Sequence, residues 1–397
     1  MVDFKKILEY DRLALKGVEK YPKKRFLFSS IQKEKGKHFV GIVGPRGVGK
    51  TVLLRQIRKE YKNSLYISLD TIKEDLFEIA RKAKEDFETE LLLLDEVHFY
   101  SGFEEVLKKI YDYLDLRVIF TSSVALVVSE AQYDLSRRVL LKKLYPFSFR
   151  EYLFFKYDVK FPRLSLEDIL NKKFDKEILS YSASFYDYLK GGLYPFSLEE
   201  PLVLDILKNI CSKVVHKDIP RILDLKVGEL EIIEKLISFI GKAKVEGISY
   251  SSVANNLKIT RYKAQQYLNL LEKAFIINQV FPEGTNVLKE PKVLMSPPYR
   301  LLYSDFQECI GALREDFFAE MMRASESKTY YLKSTRGEKI PDFVIFHKGK
   351  KIVAEIGGKS KGRTQFKGFK GDKKIIFVDS CKIDDLYRPL FLVGFLV

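Results

Sequence analysis

Eight consecutive positions carry the most explicit chemistry in this 397-residue chain: Gly44, Pro45, Arg46, Gly47, Val48, Gly49, Lys50 and Thr51. They satisfy Gly-x-x-x-x-Gly-Lys-Thr, the spacing of a loop that wraps phosphate oxygens in backbone N–H groups. Glycines let the backbone turn inward, and a helix starting at the loop's end adds the positive end of its dipole. Lys50 can reach β- and γ-phosphates as a compact cation, and Thr51 offers a hydroxyl to Mg²⁺. With Val52, the stretch is expected to line bound ATP. A second constellation is Asp95-Glu96, directly after four leucines, Leu91 to Leu94. Here Asp95 is the candidate that holds Mg²⁺ through water. Glu96 is the candidate general base that polarises the water attacking the γ-phosphate. A third stretch, Arg117 to Ser123, ends in hydroxyls. Ser122 or Ser123 is the candidate that senses the γ-phosphate and orients that water.

These groups need elements to hold them. Phe39, Val40, Ile42 and Val43 predict a buried parallel strand before the loop, and Val52, Leu53, Leu54 and Ile57 a helix after it. Ser64 to Leu69 reads as a second strand and Asp70 to Lys84 as a helix. The leucine run bounded by acids reads as a third, fully buried strand. Its acids fall at the carboxyl end, where open α/β sheets bind ligands. The fold class expected is therefore α/β with a parallel sheet. Residues 1 to about 37 read as a helix and a lead-in. Arg25 is expected on the solvated surface there, with a place near the nucleotide as the alternative.

At 46% hydrophobic the chain can bury a substantial core, and no apolar run of 18 or more residues predicts a membrane span. The charged N-terminus lacks a secretory pattern, which predicts a cytoplasmic protein. The three cysteines (Cys211, Cys309, Cys381) are far apart and the four histidines scattered, so neither disulfides nor a zinc site is indicated. A net charge of +15 is compatible with nucleic acid as a partner.

Further along, Arg137, Arg138 and the stretch Pro146-Phe-Ser-Phe149-Arg-Glu151 follow a predicted strand. Together with the loop at 44–51, with Asp187 to Pro195 and with Val215 to Ile219, they resemble a family of archaeal and bacterial AAA-type ATPases. Its members carry a C-terminal domain similar to PD-(D/E)XK nucleases. The resemblance runs from about residue 1 to about 380. It implies an AAA-type core at 1–150, a helical lid at 151–227, and an oligomer with sites at subunit interfaces. By the same resemblance Arg138 acts as an arginine finger on the phosphate of its own or a neighbouring subunit, with Arg150 a weaker candidate.

Residues 228–284 read as a winged helix-turn-helix. Its helices are expected at 229–240, at 250–257 and at 260–271, capped by Thr260, with a wing strand at 274–280. As a DNA reader it would present Arg261, Tyr262, Lys263, Gln265 and Gln266; as a docking module it would bind protein. Residues 285–397 follow the nuclease-like pattern. There Asp342 and Glu355 match the acids that hold Mg²⁺ in such enzymes, and Glu315 or Glu320 completes the set. The position two after Glu355 is Gly357 instead of lysine, which leaves Lys359 as the substitute. The ten Lys/Arg from Lys348 to Lys374 fit phosphate contact. The function expected is ATP hydrolysis coupled to remodelling or translocation on duplex or branched DNA. The alternatives are a nucleotide switch for protein partners and an ATP-gated nuclease.

Overall fold

The computed structural model describes residues 3–72, 74–123, 135, 137–221, 225–243, 248–284, 290–332, 340–358, 366 and 369–397. The chain divides into two compact units, Met1–Pro146 and Phe147–Val397.

The first unit is built on a five-stranded parallel sheet, in the order β2-β3-β4-β1-β5. The strands are β1 (Phe39–Val43), β2 (Ser64–Ser68), β3 (Leu91–Asp95), β4 (Arg117–Ser122) and β5 (Val139–Lys143). Helices α1 (Phe4–Val18), α2 (Phe26–Gln32), α3 (Lys50–Glu60), α4 (Leu76–Phe87) and α5 (Phe103–Tyr113) accompany it. Strands β1 and β3 are buried along their whole length. A parallel sheet covered by helices on its faces requires this, and it is why they read as unbroken apolar runs. Helix α4 starts where the Asp75 carboxylate accepts from the N–H groups of Phe77 and Glu78. The register pairs Val43 with Ser122 and Leu94 with Phe120. It thereby lines up the carboxyl ends of β1, β4 and β3 in one row.

The second unit opens with α6 (Phe149–Tyr157), capped by Ser148, whose hydroxyl accepts from Glu151 N–H. Short helices follow: α7 (Leu166–Leu170), α8 (Ser184–Asp187) and α9 (Val203–Lys213). Phe149 packs its ring against Phe185, Tyr188, Phe391 and Phe395, which ties α6 to the end of the chain. Next come α10 (Val227–Lys242), α11 (Tyr250–Leu257) and α12 (Arg261–Lys273). Thr260 caps α12, and Ala264, Tyr267, Leu268 and Leu271 are buried. An antiparallel pair follows, β6 (Ile277–Val280) with β7 (Lys292–Met295). The long helix α13 (Phe306–Ala324) leads into a second sheet in the order β12-β11-β10-β9-β8. Its strands are β8 (Lys328–Tyr331), β9 (Phe343–His347), β10 (Lys350–Gly357), β11 (Lys373–Val378) and β12 (Tyr387–Pro389). Pairing is antiparallel from β8 to β10 and parallel from β10 to β12.

The boundaries expected from sequence fall at 150/151, 227/228 and 284/285. Compactness divides the chain at 146/147 instead, and the β6–β7 pair spans 284/285. Among the described residues no helix is long and apolar enough to cross a membrane.

Gly44 has no room for a side chain: a Cβ there would lie 2.1 Å from the Leu144 carbonyl oxygen. Gly311, on α13, has nothing within 4 Å of such a Cβ. Gly44→Ala is therefore expected to cost at least about 3 kcal/mol by overpacking against backbone. Gly311→Ala should be neutral or stabilising by up to about 1 kcal/mol. Chemical denaturation of the two variants checks the contrast.

Candidate functional site

The loop from Gly44 to Gly49 turns on two glycines in the left-handed region, Gly47 (φ 83°) and Gly49 (φ 90°). Gly49 is the residue before α3, so the free N–H groups of that helix begin where the loop closes. Lys50 is buried and folds back into the loop. Its ammonium donates to the carbonyls of Gly44 (2.9 Å) and Pro45 (3.0 Å). Arg25 is buried too, contrary to the solvated place expected for it. Its Nη1 donates to the Val48 carbonyl at 2.5 Å and its Nη2 to the Tyr145 carbonyl at 2.8 Å.

Strand β4 lies between β1 and β3, and its last residues meet the acid pair. Asp95 is buried. Its Oδ1 accepts from Thr121 Oγ1 at 2.5 Å and its Oδ2 from the Tyr66 hydroxyl at 2.8 Å. Burial and the neighbouring Glu96 push its carboxyl above the usual range, while bonds from Thr121, Thr51 and Tyr66 oppose the rise. Glu96 adopts the left-handed conformation (φ 56°, ψ 52°), uncommon for a side chain of this size. Its N–H donates to Thr121 Oγ1 at 2.9 Å, and its Oε2 accepts from Ser123 Oγ at 2.6 Å. Arg46 Nη1 lies 3.7 Å from Glu96 Oε1, and His98 Nδ1 3.4 Å from Oε2. Burial raises the Glu96 carboxyl, but Lys50, His98, Ser123 and Arg46 outweigh it and hold the group below its ordinary value. Two adjacent acids are thus driven in opposite directions, the environment that gives paired carboxylates different tasks.

Of the residues singled out in sequence, the structure brings Lys50, Thr51, Asp95, Glu96, Ser122 and Ser123 to one end of the sheet. Ser123 holds Glu96 directly. Ser122 Oγ lies 3.4 Å from His98 Nδ1 instead. Thr121, Tyr66 and His98 were missed, and Arg25 had a place near the nucleotide only as the alternative. The only sequence signal was position: Thr121 precedes the two serines, and His98 stands two residues after Glu96. Arg138 is not with this group in its own chain. Phe39 N–H donates to its carbonyl, which places it at the amino end of β1 and β5, about 15 Å of strand away from the loop. Its guanidinium pairs with Asp112 at 3.0–3.1 Å. The expectation that it serves its own subunit's phosphate is corrected accordingly. Arg150 lies in the second unit, donating to the Val397 carbonyl.

The asymmetric pair fits a magnesium-loaded phosphate. Mg²⁺ is usually held by one or two carboxylates, with waters and phosphate oxygens completing its shell. Asp95, buried and bonded to the Thr121 and Tyr66 hydroxyls, is a carboxylate that a nearby cation would keep ionised.

The acids of the second unit do not form such a site. Lys292, on β7, places its ammonium 2.6 Å from Glu315 Oε2 and 3.8 Å from Asp342 Oδ1. Asp342 Oδ2 accepts from Ile356 N–H at 2.8 Å, and Glu355 Oε2 from Asp342 N–H at 3.2 Å. Burial pushes the Glu315 carboxyl up to about 7, with Lys292 working against the rise. Glu320 belongs elsewhere, which corrects its candidacy: its Oε2 accepts from Asn278 Nδ2 at 2.7 Å. Residues five apart on a helix lie about 140° apart, so only one of Glu315 and Glu320 can face Asp342. Lys359 lies outside the described residues, as does part of the basic run from Lys348 to Lys374. Among the described residues no group of three or more His, Cys, Asp or Glu is arranged to hold a metal ion.

On α12 the predicted reading face is exposed at Arg261, Tyr262, Lys263, Gln265 and Gln266. Two of its cations are paired: Arg261 with Glu290 (3.3 Å) and Lys263 with Glu229 (3.0 Å).

Comparison with known proteins agrees with the first sheet. Residues 36–153 match the family model of an AAA domain, and residues 182–297 that of a domain of unknown function, DUF8612. An uncharacterized protein of Haemophilus influenzae is 26% identical over 59% of this chain and 60% of its own length. Among solved structures, the Aeropyrum pernix ORC1 protein in complex with DNA aligns over 77% of this chain and 92% of its own, with 13% identity and a TM-score of 0.29. A score that low adds nothing to what the topology establishes. The protein MJ1637 of Methanocaldococcus jannaschii is 30% identical over 97% of this chain and 88% of its own length. The chain belongs to the same family as that archaeal protein, and its phosphate-type loop and acid pair lie within the residues that match the AAA domain model.

Proposed function

We propose that the first unit binds ATP with Mg²⁺ and hydrolyses it, and that the chain couples this reaction to the handling of duplex or branched DNA. The observation that carries the ATP half is geometric: Lys50 folds into the glycine loop, and at the neighbouring strand ends Thr121 and Tyr66 hold the Asp95 carboxylate while Ser123 holds that of Glu96. Gly44 to Val52 would cradle the triphosphate. Thr51 and Asp95 would hold Mg²⁺, which supplies charge neutralisation for the phosphates. Glu96 accepts a proton from water as the water oxygen bonds to the γ-phosphorus, and the bond to the bridging oxygen of ADP breaks. Ser123 and Arg46 keep the Glu96 carboxylate in place, and Ser122 orients the water from the end of β4. Arg138 would serve as a finger only across a subunit interface, in a homo-oligomer.

The DNA half rests on residues 227–295. Three helices followed by a strand pair fit a winged helix-turn-helix, with α12 presenting its exposed Arg, Lys and Gln to a groove or its phosphates. Residues 151–227 would act as the helical lid. A second reading, a nucleotide switch that docks protein partners, is favoured by one observation: Arg261 and Lys263 already have carboxylate partners. The nuclease-like sheet is read as inactive. Lys292 supplies the positive charge among its acids, and two of those acids accept backbone N–H groups.

Four measurements test this. In single-turnover assays Glu96→Gln should still bind MgATP but hydrolyse it at least about 100-fold more slowly. Thr121→Val, which withdraws a bond from Asp95, should cost about 10- to 100-fold. ATPase rates across single-stranded, duplex and branched DNA should rise with at least one; indifference to all three moves the choice to the protein-switch reading. Glu229→Gln should free Lys263 and tighten DNA binding, whereas Lys263→Ala should weaken it and lower the salt slope by about one. Labelled DNA incubated with Mg²⁺ or Mn²⁺ should remain intact; cleavage lost in Asp342→Ala would overturn the inactive reading.

A further inference from the structure

Val48 sits between the two glycines of the loop that have positive φ, Gly47 and Gly49. A residue so flanked belongs to the peptide most free to reorient, because glycine admits both hands of the backbone at little cost. The peptide itself is planar and trans, so its C=O and N–H point in opposite directions. Whatever fixes the Val48 carbonyl therefore aims the Gly49 N–H the other way.

Arg25 does the fixing. Its guanidinium is buried and donates to the Val48 carbonyl. The second bond, to the Tyr145 carbonyl, anchors the guanidinium to the segment after β5. That segment is itself held to the base of the loop, with Leu144 N–H donating to the Val43 carbonyl at 2.8 Å. Arg25 is thus held on one side by a backbone tied to β1 and holds on the other a peptide flanked by two glycines. Charge assistance makes such a bond stronger than a neutral one.

We propose that Arg25 is a positioning residue of the nucleotide site: it locks the Val48–Gly49 peptide with the Gly49 N–H directed at the phosphates. The inference rests on the ATP reading above. Without Arg25 the Val48 carbonyl loses a donor, and the peptide can turn. A turned peptide presents a carbonyl oxygen where an N–H should meet a phosphate, replacing attraction by repulsion. The residue acts through the loop, touching neither water nor phosphate. Its effect should therefore appear in nucleotide affinity and not as the loss of a proton-transfer step.

The test is equilibrium binding of MgADP to the full-length protein, at a temperature well below the ligand-free melting point of each variant. Arg25→Met should bind at least about tenfold more weakly than wild type. Arg25→Lys, which keeps one charged donor, should fall between them. A melting point that drops while MgADP affinity of the folded Arg25→Met protein stays at the wild-type value assigns Arg25 to the core alone and overturns the proposal. Should Arg25→Met fail to fold, Arg25→Lys decides: weakened binding supports the role, and unchanged binding overturns it. A wild type that binds no MgADP, with Lys50→Ala indistinguishable from it, overturns the ATP reading itself; binding by wild type that Arg25→Met shares equally overturns only the inference.

Discussion

The first unit depends on keeping two adjacent carboxylates, buried at the end of a leucine strand, in different electrostatic states. Burial alone would raise both. Coulomb repulsion between Asp95 and Glu96 adds to the rise. The sheet resolves the conflict by its strand order. Placing β4 between β3 and β1 brings Thr121 against Asp95, Ser123 against Glu96, and the loop lysine near enough to depress Glu96. A base that stays charged and a carboxylate that needs a cation are then side by side. In the proposed reading, that asymmetry lets one end of the sheet hold a magnesium-loaded phosphate and activate water next to it.

The same economy of backbone governs the loop. Its glycines create curvature but leave peptides free, and the freedom is removed from outside by Arg25 and from inside by Lys50. Gly44 is forced by a neighbour: the Leu144 carbonyl occupies the space of any side chain. Loop, exit segment and lead-in are thus one packed object, assembled from residues about a hundred positions apart in sequence. In the second unit a cation again meets acids, but there the cation is the chain's own. Lys292 reaches Glu315, on α13, and Asp342, just before β9, from the separate β6–β7 pair.

What was legible in the sequence had a local cause. The loop pattern, the apolar strands β1 and β3, the cap at Thr260 and the helices around it depend on neighbours within a few residues. What was illegible depended on contacts between distant segments. Arg25 looked like one more surface cation among basic residues, because nothing near it in sequence reveals the Val48 and Tyr145 carbonyls that it meets. Thr121 was passed over for the serines after it, since only strand register shows which hydroxyl faces Asp95. The choice between Glu315 and Glu320 needed the angular position of each on α13 relative to β9. Arg138 matched a family arginine, yet parallel pairing of β5 with β1 puts it at the end of the sheet remote from the loop. Lys292 stood outside every motif, and its role as counter-charge appears only once β7 is placed beside those acids.

The central claim is that Gly44 to Thr51 and the Asp95–Glu96 pair together grip a triphosphate with its magnesium ion. Calorimetric titration of the full-length wild type with ATP, with and without Mg²⁺ and alongside Asp95→Asn, addresses it most directly. The account predicts saturable binding in wild type that Mg²⁺ strengthens, with that strengthening lost when Asp95 is neutralised. Binding that ignores both the metal and Asp95, or no binding at all, would contradict it.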